Sequence, residues 1–203
     1  DPLDALKGGI FLWPRKFTFE SYSTVLENHA IYLAFIVSVS KTIVGIVLHT
    51  FVTAITAYAL TREDLIGRKW FEIMGILTMF VNGGMIPTFL VFKSYGLLNN
   101  FWVYILPVLF SFYDVIIMMN FFRGIPRSLE ESAEIDGATP FTVFAKIIIP
   151  LSLPVIATIA LYHGVYQWND YMTANIYVNN ENLFPLQQLL YKIVSENLSP
   201  TVA

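Results

Sequence analysis

The sequence predicts an all-α protein: a polytopic membrane helical bundle of four spanning helices, with a helical loop between the third and the fourth. Three observations predict it. First, 56% of the 203 residues are hydrophobic and 13% are charged, against about 25% charged in an average soluble domain. Mean hydropathy is +0.60. Second, four stretches stay apolar for about 20 residues, the length a helix needs to cross the hydrocarbon. Third, the polar residues inside the first stretch recur at steps of three and four, the helical period. The net charge of −3 says little for a membrane protein, but the lack of a basic excess and of a stacking or recognition motif argues against a nucleic-acid partner. The chain contains no cysteine, which excludes disulfides, thiolate catalysis and Cys-ligated metals.

Residues 1–29 hold charges, Pro14 and no long apolar run, so they are no signal peptide and are expected to form an extracytoplasmic loop. With no initiator Met, the sequence reads as a piece of a longer subunit. The first span is expected over 30–60. Along it Ser38, Lys41, Gly45, His49, Thr53 and Thr56 form one small and polar stripe, which helix packing accepts and lipid tails do not. The second span is expected over 70–92, interrupted or bent by Asn82, Gly83, Gly84 and Pro87. The third covers 101–122 and carries Asp114 deep inside, after Pro107. An ionisable group there faces protein or water. The fourth covers 147–167. Residues 30–167 thus form the transmembrane core. Segment 168–203 has no span and is expected to be an extracytoplasmic loop before a last span that this sequence lacks. Arg62, Arg68 and Lys69 in the first link, and Arg123, Arg127 and Lys146 in the third, place those links inside. Both ends then lie outside, with Lys7, Arg15 and Lys16 ahead of the first span.

The link between the third and fourth spans, 123–146, is the longest polar stretch. Pro126, Ser128, Glu130 and Glu131 predict a helix start, a hydroxyl cap followed by acids in the first turn. Gly137 suits a left-handed end to that helix. Thr139 and Pro140 start a second helix, whose apolar face is Phe141, Phe144 and Ala145. It feeds the fourth span directly at Ile147. The product is a helix–turn–helix on the inner membrane surface, rigidly joined to a spanning helix.

This loop resembles the EAA loop of binding-protein-dependent ABC importer permeases. That pattern is Glu-Ala-Ala, three residues, Gly, nine residues, then Ile-x-Leu-Pro; here it stands as Glu131, Ser132, Ala133, Gly137, Ile147, Ile149 and Pro150. Ser132 replaces Ala and Ile149 replaces Leu, both conservatively. "TAYALTR" at 56–62, "MIPTFL" after Gly84, "NFFRGIP" and "IPLSLP" around the loop, and "QWNDY" and "FPLQQLL" after the fourth span extend the resemblance over nearly the whole chain. They are similar to the maltose-type second permease, and closer to the branch serving complex polysaccharide fragments.

The resemblance implies a type I importer permease fold, in a family that usually has six spans, in a bacterial plasma membrane. It implies a cytoplasmic ABC ATPase dimer, a second homologous permease, an extracytoplasmic solute-binding protein, and an oligosaccharide cargo moved by alternating access. This sequence has no Walker motif, so it needs no cofactor of its own, and ATP and magnesium belong to the ATPase. Glu130, Glu131, Ser132, Ala133, Asp136, Gly137, Ala138 and Phe144 are the implied docking residues. An importer permease for a peptide, amino acid or ion shares the loop but not the "QWNDY" and "FPLQQLL" ending.

Pathway or substrate candidates are Lys41, His49, Asn82, Asp114, Trp168, Asn169 and Tyr171. Lys41 either meets an acidic sugar such as a uronate oligomer or, the favoured reading, snorkels from the start of its helix. Asp114 either lines the pathway or caps a neighbour. Trp168, Asn169 and Tyr171 either stack on and hydrogen-bond a sugar or form an interfacial aromatic belt. His49 and His163 are expected to be packed polar groups, with no metal ligand spaced around either. No catalytic set converges in the spans, since Asp114 is the lone acid within one and shows no partner of matching depth. That argues against an intramembrane enzyme, and the docking loop argues against a passive channel.

Overall fold

The computed structural model describes residues 29–198. The expected loop 1–29, with Lys7, Arg15 and Lys16, therefore lies outside the described residues apart from His29. The described elements are all helical. Helix α1 (His29–Thr61) is 33 residues long, about 50 Å at 1.5 Å per residue, and among the described residues it is the one single helix long and apolar enough to cross a membrane. Its buried face is Ser38, Lys41, Gly45, His49 and Thr53, continued by Ala57 and Leu60. The polar stripe is therefore the packing seam, while Phe35, Ile43, Val47 and Phe51 point outward.

The other three spans are bent pairs. Helices α2 (Arg68–Phe80) and α3 (Met85–Ser94) meet at 116°. Gly84 has φ +83° there, a conformation that costs an L side chain strain, and Asn82 Oδ1 accepts from its amide at 2.9 Å. The third span starts as 3₁₀ turns (Phe101–Tyr104 and Leu106–Val108) and continues, after a 52° bend, as α4 (Phe112–Arg123). Ser111 caps α4 at the amide of Asp114.

The expected fourth span differs. Helix α6 (Pro140–Leu151) widens to π-helix over Phe144–Ile148, and α7 (Leu153–Asn169) leaves it at 79°. The junction is an elbow at Ser152 and the long helix begins at Leu153, not at Ile147. Pro150 and Pro154 explain this, since neither donates a backbone hydrogen bond and each crowds the preceding turn.

Helix α1 is the mast of the bundle. Helices α4 and α7 pack along it. The closest approach is at two glycines: a Cβ on Gly45 would stand 2.6 Å from Gln167 Nε2, and one on Gly164 would stand 2.7 Å from Ile46 Cδ1. One core gathers Ala57, Tyr58, Val115, Met118, Phe122, Phe144 and Ile148. A smaller one gathers Val37, Val103, Tyr104, Ile105, Ala174 and Val178 at the opposite end. Beyond α7, the helices α8 (Met172–Tyr177) and α9 (Leu186–Leu198) fold back, and Ser38 Oγ accepts from the Leu186 amide at 2.8 Å.

The links fall at the two ends of the bundle in the expected pairs. The first and third links meet at one end, where Arg127 reaches Glu63 at 2.6 Å and Arg123 reaches Glu72 at 2.9 Å. The second link and the segment after α7 meet at the other. There Asn99 donates its amide to the Tyr177 carbonyl at 3.1 Å, and its side chain accepts from the Asn180 amide at 3.1 Å.

Candidate functional site

Helix α5 (Arg127–Ile135) and the start of α6 form the loop that carries the motif. Pro126, not Ser128, is the residue preceding α5, and no side chain caps its start. Ser128 lies one residue inside the first turn, too late to cap it. Gly137 ends α5 as expected, with φ +82° and open space around it. The Ala138 amide returns to the Ala133 carbonyl at 2.9 Å, closing the turn. Thr139 then caps α6 at the Thr142 amide, 3.3 Å away.

One face of the loop is held from inside. Arg62 Nη1 donates to Glu134 at 2.9 Å and to Glu130 at 3.2 Å. Burial opposes the Arg62 charge, but the hydrogen bond to Glu134 and the neighbouring Tyr58 and Asp64 more than offset it, holding the guanidinium above its ordinary range. These groups border a charged cleft of about 570 Å³ with Glu131, Arg68 and Arg123 on its walls. The sequence reading missed Arg62 as a site residue. Its signal was two acids four apart along α5, Glu130 and Glu134, facing a cation at the end of α1.

The outer face is largely uncovered among the described residues. Glu131, Ser132, Asp136 and Gly137 are exposed, and Ala133 and Ala138 are half-buried. Leu129, Ile135 and Phe141 are exposed apolar side chains at 43%, 86% and 68%. Phe144 requires a correction. It is 5% exposed and packs on Tyr58 with ring centroids 5.2 Å apart, so it anchors α6 while Phe141 faces outward.

The pathway candidates fall into two groups. Lys41 neither snorkels nor faces open space. It is fully buried, and its Nζ donates to the Asp170 carbonyl at 2.7 Å with the Asp170 carboxylate at 3.7 Å. Asp114 does have a partner: Oδ2 lies 3.0 Å from His49 Nε2. His49 stacks on His163 with centroids 3.9 Å apart and planes within 4°. Stacked rings do not point their nitrogens at one place, and among the described residues no group of three His, Cys, Asp or Glu converges on a metal position. The remaining candidates sit at the surface or at breaks. Asn82 and Asn169 are hydrogen-bonded within their own segments, Trp168 is half-buried, and Tyr171 stacks on Tyr191 at 4.9 Å. Asp170 and Gln167, which donates to the Tyr104 carbonyl at 2.8 Å, were not anticipated.

A protein-family model described as "binding-protein-dependent transport system inner membrane component" matches residues 30–203. A polygalacturonan/rhamnogalacturonan transport system permease protein, YtcP of Bacillus subtilis, is 46% identical over 183 residues, which is 90% of this chain and 64% of that protein. Protein LplC of the same organism is 42% identical over 183 residues, 90% of this chain and 62% of that protein. The chain thus spans less than two thirds of the length of these two relatives. Among solved structures, a bacterial ABC transporter involved in the import of the acidic polysaccharide alginate superposes with a TM-score of 0.88 at 31% identity, over 97% of this chain and 70% of that one. With its all-helical bundle, the motif loop and a family match from residue 30 to the last residue, the chain belongs to the inner membrane components of binding-protein-dependent transport systems.

Proposed function

We propose that this chain forms the transmembrane core of a permease subunit in an ATP-driven importer, and that the importer carries an oligosaccharide. The observation that carries the reading is the α5–Gly137–α6 loop. It is ordered by the Gly137 turn and the Thr139 cap, fastened to the end of α1 by Arg62, and left with an apolar outer edge of Leu129, Ile135 and Phe141. Such a face suits the cleft of a cytoplasmic ATPase. Glu131, Ser132, Ala133, Asp136, Gly137 and Ala138 would surround that contact, and Glu130 would act through Arg62.

ATP and magnesium are then handled by the ATPase dimer, and this chain performs no chemistry. A second permease would cover lipid-length apolar surface such as that of α2 and α3, where Gly75 is the one buried residue. An extracytoplasmic binding protein would deliver cargo at the end bearing α8 and α9. Two relatives are named for polygalacturonan/rhamnogalacturonan and alginate, which supports a uronate-bearing oligosaccharide over the peptide, amino-acid or ion alternative. Lys41 is an unsuitable cation for such a cargo because Asp170 already occupies it.

The test is affinity purification of the full-length subunit from its host membrane, wild type against Glu131→Lys combined with Gly137→Asp. The expected outcome is an ATPase and a second permease with the wild type, and loss of the ATPase from the variant. Uptake of labelled oligogalacturonate, neutral oligosaccharide and peptide then ranks the cargo. Absence of an ATPase from an intact wild-type preparation would overturn the importer reading.

A further inference from the structure

His49 sits at the break of the third span with both ring nitrogens facing acceptors. Nδ1 is 3.1 Å from the Val108 carbonyl oxygen and 3.1 Å from that of Leu109. A continuous helix would have spent those two oxygens on the amides of Phe112 and Tyr113. At the bend they are free, and the ring occupies them. Carbonyl oxygens only accept, so Nδ1 carries a hydrogen. A neutral imidazole then has a lone pair on Nε2, which lies 3.0 Å from Asp114 Oδ2. An ionised carboxylate also only accepts. Two lone pairs would face each other around a ring that is 1% exposed, an arrangement burial makes costly.

One additional proton removes the conflict. It resides on Nε2, giving an imidazolium beside a carboxylate, or on Oδ2, giving a carboxylic acid that donates to Nε2. Either form leaves the pair with no net charge, which suits a position within the bilayer. We propose that the buried His49 ring and the half-buried Asp114 carboxyl form a one-proton site that fastens α1 to the break in the third span.

The surroundings favour a single proton. His163 from α7 is stacked on the His49 ring at 3.9 Å, and two stacked cations would repel. Tyr166 lies beyond His163 with centroids 6.2 Å apart. Along α1 the flanking residues on the same buried face are Gly45 and Thr53, neither of them titratable. Asp114 and His163 are thus the titratable partners that the described residues bring against His49. The site also has a mechanical position. Helix α4, which begins at this break, runs to Arg123 and leads through Pro126 into α5. The proton therefore holds one end of the rod whose other end carries the motif loop. This assignment does not depend on what the protein carries.

The test is nitrogen NMR of the full-length subunit, labelled with [15N]histidine and assembled with its partner subunits in lipid nanodiscs. His49→Gln assigns the resonances. At neutral pH His49 should show a protonated Nδ1. Its Nε2 should be protonated or strongly hydrogen-bonded. Asp114→Ala should convert Nε2 to a free acceptor. Asp114→Asn, whose amide donates to Nε2, should keep assembly while abolishing the imidazolium form. The proposal is overturned if His49 Nε2 is a free acceptor in the wild type, or if Asp114→Ala leaves its nitrogen signals unchanged. Should Asp114→Ala fail to assemble, the wild-type Nε2 signal alone decides.

Discussion

Lys41 and Asp170 are 129 positions apart, and folding places them in contact. Lysine is expensive inside a bilayer unless paired, so each residue depends on the other. Removing one partner of a buried pair typically costs about 3 kcal/mol or more, while replacing both can be nearly neutral. Lys41→Met should therefore lower the unfolding midpoint in detergent clearly, and Lys41→Met with Asp170→Asn should recover part of the loss. Strictly additive costs in the double-mutant cycle would show that the pair is not coupled. At the bundle end, Glu63 and Arg127 form an exposed pair. The Arg127 hydrogen bond holds the Glu63 carboxyl below its usual range, and Glu63 in turn holds the guanidinium above its own. A depressed carboxylate contributes stability above its unfolded pKa and loses it as pH falls through the folded one. The difference in melting temperature between wild type and Glu63→Gln should thus close as pH drops below about 4. A difference that widens on acidification would contradict the pairing. Individual partners of this kind were not legible in the sequence. A Lys near a helix start reads equally as a snorkelling residue, and nothing local distinguishes the two.

At the scale of elements, α1 and α7 come together because two glycines leave room. A methyl on Gly45 would press on Gln167 Nε2, which is already committed to the Tyr104 carbonyl. Gly45→Ala should displace that amide and destabilise the protein by about 1–3 kcal/mol, seen as a lower unfolding midpoint with unchanged helix content. An unchanged midpoint would mean that the helices separate at no cost. The polar stripe on α1 was readable in advance because its period is helical and its residues are small. The interruption at Asn82–Gly84 was readable too, from residue types that cannot continue a helix. The size of each bend was not. The bends measure 116°, 52° and 79°, and the elbow at Ser152 moved the start of the last long helix several residues past the apolar boundary.

At the scale of the whole molecule, the proposed function requires a push on the motif loop to reach the bundle, and the fold offers two routes. One runs through α6 and its elbow into α7. The other runs through Arg62, which ties Glu130 and Glu134 to the end of α1. Under the proposed function, Arg62→Ala should leave an ATPase bound yet lower transport about fivefold, the equivalent of about 1 kcal/mol of coupling. Arg62→Lys should recover only part, because an ammonium cannot hold two carboxylates with a planar fork. Normal transport by Arg62→Ala would assign coupling to the α6 route alone. The amino-acid sequence was enough to establish a membrane-embedded helical bundle, the links that share each of its ends and the motif loop with its Gly137 turn. Those properties rest on hydropathy, period and charge over neighbouring residues, which is local information. The union of His49, Asp114 and His163, the burial of Lys41 against Asp170, the inward turn of Phe144 and the Arg62 bridge emerged only with the folded chain. Each joins side chains tens of residues apart, and their contact depends on how three helices cross, which no local pattern encodes.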